Sequence, residues 1–402
     1  MIIPSLLWTD FYKYTMGQVV LHQCSGAWTK FKLQCRNGTG LPFTKLIDNQ
    51  AFIEDINKEI DALCTLRLTP DELTHLRTVP YFKPEYLEFL RLLQLNRAYI
   101  DVTTENGRLC IKIEGPWIST IWFEIPVLLI VSTLYNKYRP DKSGMSFNIE
   151  QEGKKRLKQK TEWLSTCLHW DAPFLYADFG TRRAWSPEWH EYVVRTLVRR
   201  HDKWFMGTSN VYLAMKFGLK MIGTMAHELF QGFQQLDFKL VDAQKAALQA
   251  WANEYRGELG IALSDTYGFD AFCRDFDRYF ALLFDGCRHD SGDPAQWCDK
   301  LLTHYKDLRV DARTKTAVFS DGLTFPIALN LYNKFSTQIN TSFGIGTYLT
   351  NDLGIEAMQF VIKMVECNHR PVAKISDSPG KCMCESGSYA RYLEEVYNIK
   401  RL

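Results

Sequence analysis

In the second half of the chain, charged and imidazole side chains recur where short apolar runs end. Asp265, Asp290 and Asp321 are carboxylates that can accept hydrogen bonds from sugar hydroxyls, hold Mg2+ or stabilise a developing cation. Arg182, Arg183 and Arg288 can neutralise phosphates, because a guanidinium grips two oxygens at once. Gly322, Gly344 and Gly346 would let backbone N–H groups approach an anion. Together these types describe a pocket for a phosphorylated sugar. His227 follows Gly223-Thr224 and has room to act, whereas His289, between Arg288 and Asp290, is expected to point into the wall. Each residue alone has a plainer reading: a strand-end Asp also caps the next helix, and a lone histidine is often a satisfied structural residue.

Several signatures are absent. No GxxxxGK[ST] phosphate loop occurs, FGIGTYLT lacks the third glycine of the dinucleotide fingerprint, and neither HExxH nor GxSxG is present. Ser378-Pro-Gly-Lys381 matches S-x-x-K, but Pro and Gly will not hold it on a helix. Cys367, His369, Cys382 and Cys384 form a candidate zinc cluster whose spacing lacks a C-x2-C pair. Buried reduced thiols are the simpler expectation for the 11 cysteines.

The elements that must position these groups are legible from residue 173 onward. Apolar runs end in Asp178-Phe-Gly-Thr-Arg-Arg183, Gly207-Thr-Ser-Asn210, Gly223-Thr-Met-Ala-His-Glu228, Ser264-Asp-Thr266, Arg288-His-Asp-Ser-Gly-Asp293, Ser320-Asp-Gly322 and Gly344-Ile-Gly-Thr347. Each interval is long enough for a helical crossover. Strand, polar cluster and helix in repetition predict a parallel α/β barrel whose strand ends converge on one site. The first third predicts α+β structure: a strand over 27–36, helices over 47–95 starting at Thr69-Pro70-Asp71-Glu72, and a hairpin over 97–115 turning at Asn106-Gly107. An apolar helix over 119–138 and a polar, Lys-rich helix over 147–165 follow, the latter read as a solvated face. Residues 361–378 read as a hairpin turning near Asn368, returning to pair with the N-terminal strands.

Of 402 residues, 46% are hydrophobic and 23% charged, which excludes a disordered or fibrous chain. The formal charge of +2 excludes wholesale attraction of nucleic acid, so anionic ligands must be met by locally placed Arg and Lys. The apolar run IPVLLIV, 125–131, is far short of a membrane span, and the N-terminus lacks the basic region of a secretory signal. A soluble, cytoplasmic protein is expected.

Thr9-Asp-Phe-Tyr-Lys13 joins the clusters above, with Phe343-Gly-Ile-Gly346, Val365-Glu-Cys-Asn368 and Ser376-Asp-Ser-Pro-Gly-Lys381, to form a series that resembles nicotinate phosphoribosyltransferases of the bacterial branch. The resemblance runs in order over nearly the whole chain. It implies the type II phosphoribosyltransferase fold: an irregular seven-stranded, TIM-like α/β barrel over 131–354, and an α+β sandwich-like domain over 1–130 completed by 355–402. It implies formation of nicotinate mononucleotide and pyrophosphate from nicotinate and phosphoribosyl pyrophosphate, coupled to ATP hydrolysis, in NAD salvage. His227 would be the residue phosphorylated by ATP, and Asp290 and Asp321 would stabilise the oxocarbenium-like state while Mg2+ stabilises the leaving pyrophosphate.

By the same resemblance Phe179 and Tyr12 sandwich the pyridine ring, and the tyrosine comes from a second subunit, implying a homodimer with shared sites. Arg182 and Arg288 would hold carboxylate and phosphates, and Asp10, Thr181, Thr208, Ser209, Gly322, Gly344 and Gly346 complete the substrate-binding set. Amide-specific relatives carry aspartate where Ser209 stands, so Ser209 is the expected site of acid-over-amide choice. The rivals are a nicotinamide or quinolinate phosphoribosyltransferase, a sugar-phosphate aldolase or isomerase, and a barrel-derived binding protein. The aldolase would need a strand-end lysine for a Schiff base, and none of the seven clusters offers one.

Overall fold

The computed structural model describes residues 1–35, 50–105, 108–138, 148–378 and 384–399. Strand β1 (Trp28–Cys35) falls on the alternating segment read from sequence, and β2 (Ile100–Glu105) pairs antiparallel with β3 (Arg108–Pro116). The turn at Asn106-Gly107 lies outside the described residues. Helices Gln50–Leu63, Pro70–Arg77 and Pro84–Leu92 occupy the expected helical stretch. Thr69 caps the second with a reciprocal Glu72 contact and Pro70 in the first turn, as its sequence dictates.

A five-stranded antiparallel sheet has the order β12-β11-β1-β3-β2, where β11 is Phe360–Cys367 and β12 is Arg370–Pro371. The C-terminal segment therefore returns to β1 as expected, and it turns at Asn368 and His369, both at positive φ. Asn368 suits that turn, since its side chain accepts from the Trp28 N–H and donates to the Gln235 carbonyl. The expected hairpin is truncated, however. Only two residues of β12 pair, Val372 N–H makes a last bond to the Val365 carbonyl of β11, and the chain then straps onto the other half of the molecule, where Ile375 N–H bonds the Thr266 carbonyl.

That other half is a seven-stranded parallel sheet: β4 (Tyr176–Asp178), β5 (Phe205–Thr208), β6 (Lys220–Met221), β7 (Ile261–Leu263), β8 (Gly286–His289), β9 (Thr316–Phe319) and β10 (Asn340–Ile345). All seven strands precede the seven predicted clusters. Their order, β6-β5-β4-β10-β9-β8-β7, is that of a barrel cut between β6 and β7. No ladder joins those two edges among the described residues; instead the Thr224 hydroxyl donates to the Ile261 carbonyl at 2.8 Å across the seam. The curled sheet is thus a half-barrel rather than a closed one.

It is also hollow. Along β9, Thr316 and Val318 line a cavity of about 1100 Å3 and are half-exposed, while outward-facing Ala317 and Phe319 are fully buried. In a filled barrel the inward side chains would pack into layers. The apolar helix Glu124–Tyr138 is buried along most of its length and packs on helix Gln50–Leu63 and on β11. Residue 130, the expected domain boundary, lies inside it. The stretch Trp117–Tyr138 is long and apolar enough for a bilayer, yet 83% of its most apolar window is buried in protein. The polar helix is Ile149–Cys167.

Candidate active site

Residues at the C-terminal ends of the strands line the cavity, and Tyr12 of the first helix forms part of its wall. Asp10 forms a β-bridge with Asn210, Phe11 N–H bonds the Ser209 carbonyl at 2.7 Å, and Ser209 Oγ donates to Asp10 Oδ1 at 2.7 Å. These contacts dock helix Phe11–Gln23 onto the end of β5 within one chain, so Tyr12 lines the cavity of its own chain. Each chain thus carries its own Tyr12 at this cavity, and the expected exchange of this tyrosine between subunits is a matter for subunit mixing. Burial pushes the Asp10 carboxyl above its ordinary value, against the Ser209 and Thr181 hydroxyls and Arg182. Ser209 is not a helix cap; Asn210 caps the next helix by accepting from Leu213 N–H.

Lys13, from the same N-terminal motif, is fully buried between Glu124, 2.7 Å away, and Glu228. Glu228 also accepts from the Trp117 indole at 2.7 Å. Burial alone would raise the Glu124 carboxyl, but Lys13, Lys363 and Arg182 hold it at about 2. Buried charges persist here because each has a partner.

Strand β4 ends in Asp178, which is fully buried and bonds His190 Nε2 at 2.6 Å, the Thr208 hydroxyl at 2.7 Å and the Gly180 N–H at 2.9 Å. Thr208 and Thr181, expected among the substrate-binding residues, do not line the cavity. Both are fully buried behind the cavity wall, Thr208 fixing Asp178 and Thr181 beside Asp10. After Asp178 the chain turns and presents Phe179 and Arg182 to the cavity. Gly344 lines the cavity, and a Cβ there would come 2.4 Å from the Phe179 ring, so this glycine makes room for the aromatic. Gly346 passes close to the Phe179 backbone, whereas Gly322, at φ 62°, has open space beside it. Phe179 and Tyr12 line the same cavity. Arg182 makes no hydrogen bond or ion pair among the described residues; Glu124, Asp290 and Asp10 act on it only from a distance.

Strands β6 to β8 build a second, denser cluster. His227 opens helix His227–Phe233 and is almost fully buried. Its Nε2 lies 2.7 Å from Asp265 Oδ1 and 3.6 Å from Asp290 Oδ2. Asp265 Oδ2 also accepts from Ser291 Oγ at 2.6 Å and meets Lys374 Nζ at 3.0 Å. Asp290 is held by Ser320 Oγ at 3.2 Å and Arg288 Nη1 at 3.5 Å, and Arg288 in turn bonds the Met225 carbonyl. Burial opposes the charge on Asp290, yet Arg288 and His227 bring its carboxyl to about 2. Burial, then Lys374, depresses His227 to about 4 against the pull of Asp265. His227 is therefore neutral at pH 7 and donates its Nε2 proton to Asp265, which leaves Nδ1 with a lone pair. Asp321 lines the cavity beside Gly322. His289 behaves as expected, buried against Trp297 and Phe319 with Nε2 on the Gly292 carbonyl.

Ligand atoms of His227, Asp265 and Asp290 lie within 4.8 Å of one another. They do not fit Mg2+ as a protein cage: a hard cation takes oxygens and keeps its waters, one donor here is imidazole, and Asp265 already has three partners. The tail cysteines do not join such a group among the described residues. Cys367 is buried, His369 stacks on Trp28, Cys384 donates to the Ser386 carbonyl, and Cys382 lies outside the described residues. All nine described cysteine side chains are free. Asp265 was visible in the sequence as a strand-end carboxylate but not as the partner of His227. Lys374 carried no signal, because it reaches the cluster from the C-terminal strap.

The nicotinate phosphoribosyltransferase (NAPRTase) family model matches residues 174–401, and that of the family's N-terminal domain matches residues 7–132. A nicotinate phosphoribosyltransferase of Chromobacterium violaceum is 48% identical over 406 residues, covering 100% of this chain and 98% of the relative. One from Cupriavidus necator is 48% identical over 100% of this chain and 99% of the relative. Among solved structures, nicotinate phosphoribosyltransferase from Vibrio cholerae superposes with a TM-score of 0.92 at 36% identity, covering 100% of this chain and 95% of that one. That from Porphyromonas gingivalis gives 0.89 at 32% identity, covering 99% and 100%. With the half-barrel, the strand-end clusters and full-length relatives in agreement, the chain belongs to the nicotinate phosphoribosyltransferase family of enzymes.

Proposed function

We propose that this chain transfers the phosphoribosyl group of phosphoribosyl pyrophosphate to nicotinate, with coupled ATP hydrolysis, as an entry step to NAD salvage. The observation that carries the reading is Arg182. It is a guanidinium without a protein partner among the described residues, lining one cavity with Phe179 and Tyr12. An unpaired cation in a cavity that also holds aromatic side chains suits a flat heterocyclic acid better than an amide. The pyridine nitrogen attacks the anomeric carbon, the C–N bond forms as the C–O bond breaks, and pyrophosphate leaves with the electron pair. Asp290 and Asp321 supply negative charge toward the oxocarbenium-like state, and Arg288 faces the phosphate side. Mg2+ entering with the diphosphate would neutralise its charge, held by the diphosphate's own oxygens and water.

His227 is the phosphoryl acceptor in this reading. Its free Nδ1 forms an N–P bond with the γ-phosphorus of ATP as the bond to ADP breaks, and ADP leaves with the electron pair. The Nε2 proton stays hydrogen-bonded to Asp265 throughout the step. Acid-over-amide choice shifts from Ser209 to Arg182, since the Ser209 hydroxyl is already committed to Asp10. A cytoplasmic homodimer completes the proposal, and analytical ultracentrifugation tests the dimer. The test of function is mononucleotide formation with nicotinate, nicotinamide and quinolinate side by side, with and without ATP. Nicotinate is expected to react fastest and to gain from ATP; equal use of nicotinamide overturns the reading of Arg182.

A further inference from the structure

Lys374 sits on the strap that leaves the antiparallel sheet and crosses to the half-barrel. Its placement is fixed from both sides. Ala373 exchanges two hydrogen bonds with the Gln234 side chain, at 2.9 and 2.6 Å, and Ile375 N–H bonds the Thr266 carbonyl at 2.8 Å. Further along, Ser378 Oγ accepts from the Gly292 N–H at 2.9 Å. Lys374 itself is 5% exposed, and its ammonium meets Asp265 Oδ2 at 3.0 Å. Asp265 therefore receives two groups that can each carry a positive charge, Lys374 on one oxygen and His227 on the other. In such a triad the carboxylate can balance one full charge. The ammonium at 3.0 Å supplies that charge and leaves the imidazole neutral.

From this geometry we infer that Lys374 is a positioning residue: by neutralising Asp265 it keeps His227 an uncharged nucleophile with its proton on Nε2 and its lone pair on Nδ1. The inference rests on the reading of His227 as phosphoryl acceptor. The other charged groups facing His227 do not substitute for Lys374. Asp290, at 3.6 Å, is negative and favours imidazolium, Arg288 is bound to Asp290, and Glu228 is turned away to Lys13 and Trp117. The depressed pKa of His227, with burial first and Lys374 next among its causes, agrees with this arrangement. Without Lys374, Asp265 and His227 would form an ion pair, and the protonated ring would have no lone pair to give.

The experiment follows acid-labile phosphate incorporation from labelled ATP as a function of pH in the full-length enzyme. In Lys374→Met the acidic limb is expected to move up by about one pH unit or more, toward the ordinary histidine range, with Lys374→Arg restoring it. An unmoved limb in a folded Lys374→Met protein overturns the inference. Should that variant fail to fold, 15N NMR of the wild-type imidazole decides. A neutral ring protonated on Nε2 at pH 7 supports the inference; a charged ring, or one protonated on Nδ1, overturns it. Phosphate incorporation that survives His227→Ala would instead strike the underlying functional reading, so the two failures are distinguishable.

Discussion

The two ends of the cavity handle charge in opposite ways. Around β6 to β8, His227, Asp265, Lys374, Asp290 and Arg288 satisfy one another before any ligand arrives. Around β4 and β5, Arg182 lines the cavity with no direct partner among the described residues, as do the aromatic Phe179 and Tyr12. One region is a preorganised cluster whose protonation states are set by the fold; the other is a receptor left incomplete, to be completed by the ligand's own charge. Preorganisation suits a chemical step, because its dipoles need no rearrangement when charge moves. An unpaired cation suits recognition, because discrimination comes from the cost of leaving it without an anion.

Substitutions at the two ends should separate accordingly. The largest effect is expected for His227→Ala, which should abolish ATP-derived phosphate incorporation and ATP stimulation while sparing some ATP-independent transfer. Retained stimulation by ATP would show that the preorganised cluster is not the coupling device. Next comes Arg182→Ala. Loss of a charged partner costs about 2–5 kcal/mol, so the nicotinate KM should rise by about thirtyfold or more, with the phosphoribosyl pyrophosphate KM little changed. An equal rise for both substrates would erase the distinction between receptor and cluster.

Tyr12→Ala should weaken nicotinate by about 1–3 kcal/mol, the value of a stacking partner. The variant also sharpens the comparison. Mixing it with Arg288→Ala should give no rescue if each chain carries its own complete site, whereas rescue with confirmed subunit exchange would restore the shared-site reading. The smallest effect is expected for Ser209→Ala, which removes one hydrogen bond from Asp10 and should lower thermal stability by about 1 kcal/mol without changing acid-over-amide preference. A changed preference would return discrimination to Ser209. Ser209→Asp is less informative than the sequence suggests, because it would set a second carboxylate against buried Asp10.

Local chemistry was legible before any coordinates. The capping box at Thr69, the hairpin strands β2 and β3, and the seven apolar runs ending in polar clusters all follow from neighbouring residues, and the structure reproduces them. Nearly every expected site residue reaches one cavity because the ends of parallel strands converge. Thr181 and Thr208 do not: both are buried, Thr208 on Asp178 and Thr181 beside Asp10.

What the residues alone determined is the inventory: which strands form, which groups stand at their ends, and which chemistry such groups can perform. What only the tertiary structure decided is pairing. Sequence spacing does not say that the Ser209 hydroxyl is taken by Asp10, that Gly344 yields space to Phe179, or that Asp265 is shared between His227 and Lys374. Secondary structure arises from contacts a few residues apart, whereas the protonation and availability of a buried group depend on whichever charge packs against it. Here that charge is Lys374, delivered by a strap that leaves one sheet to close over the other.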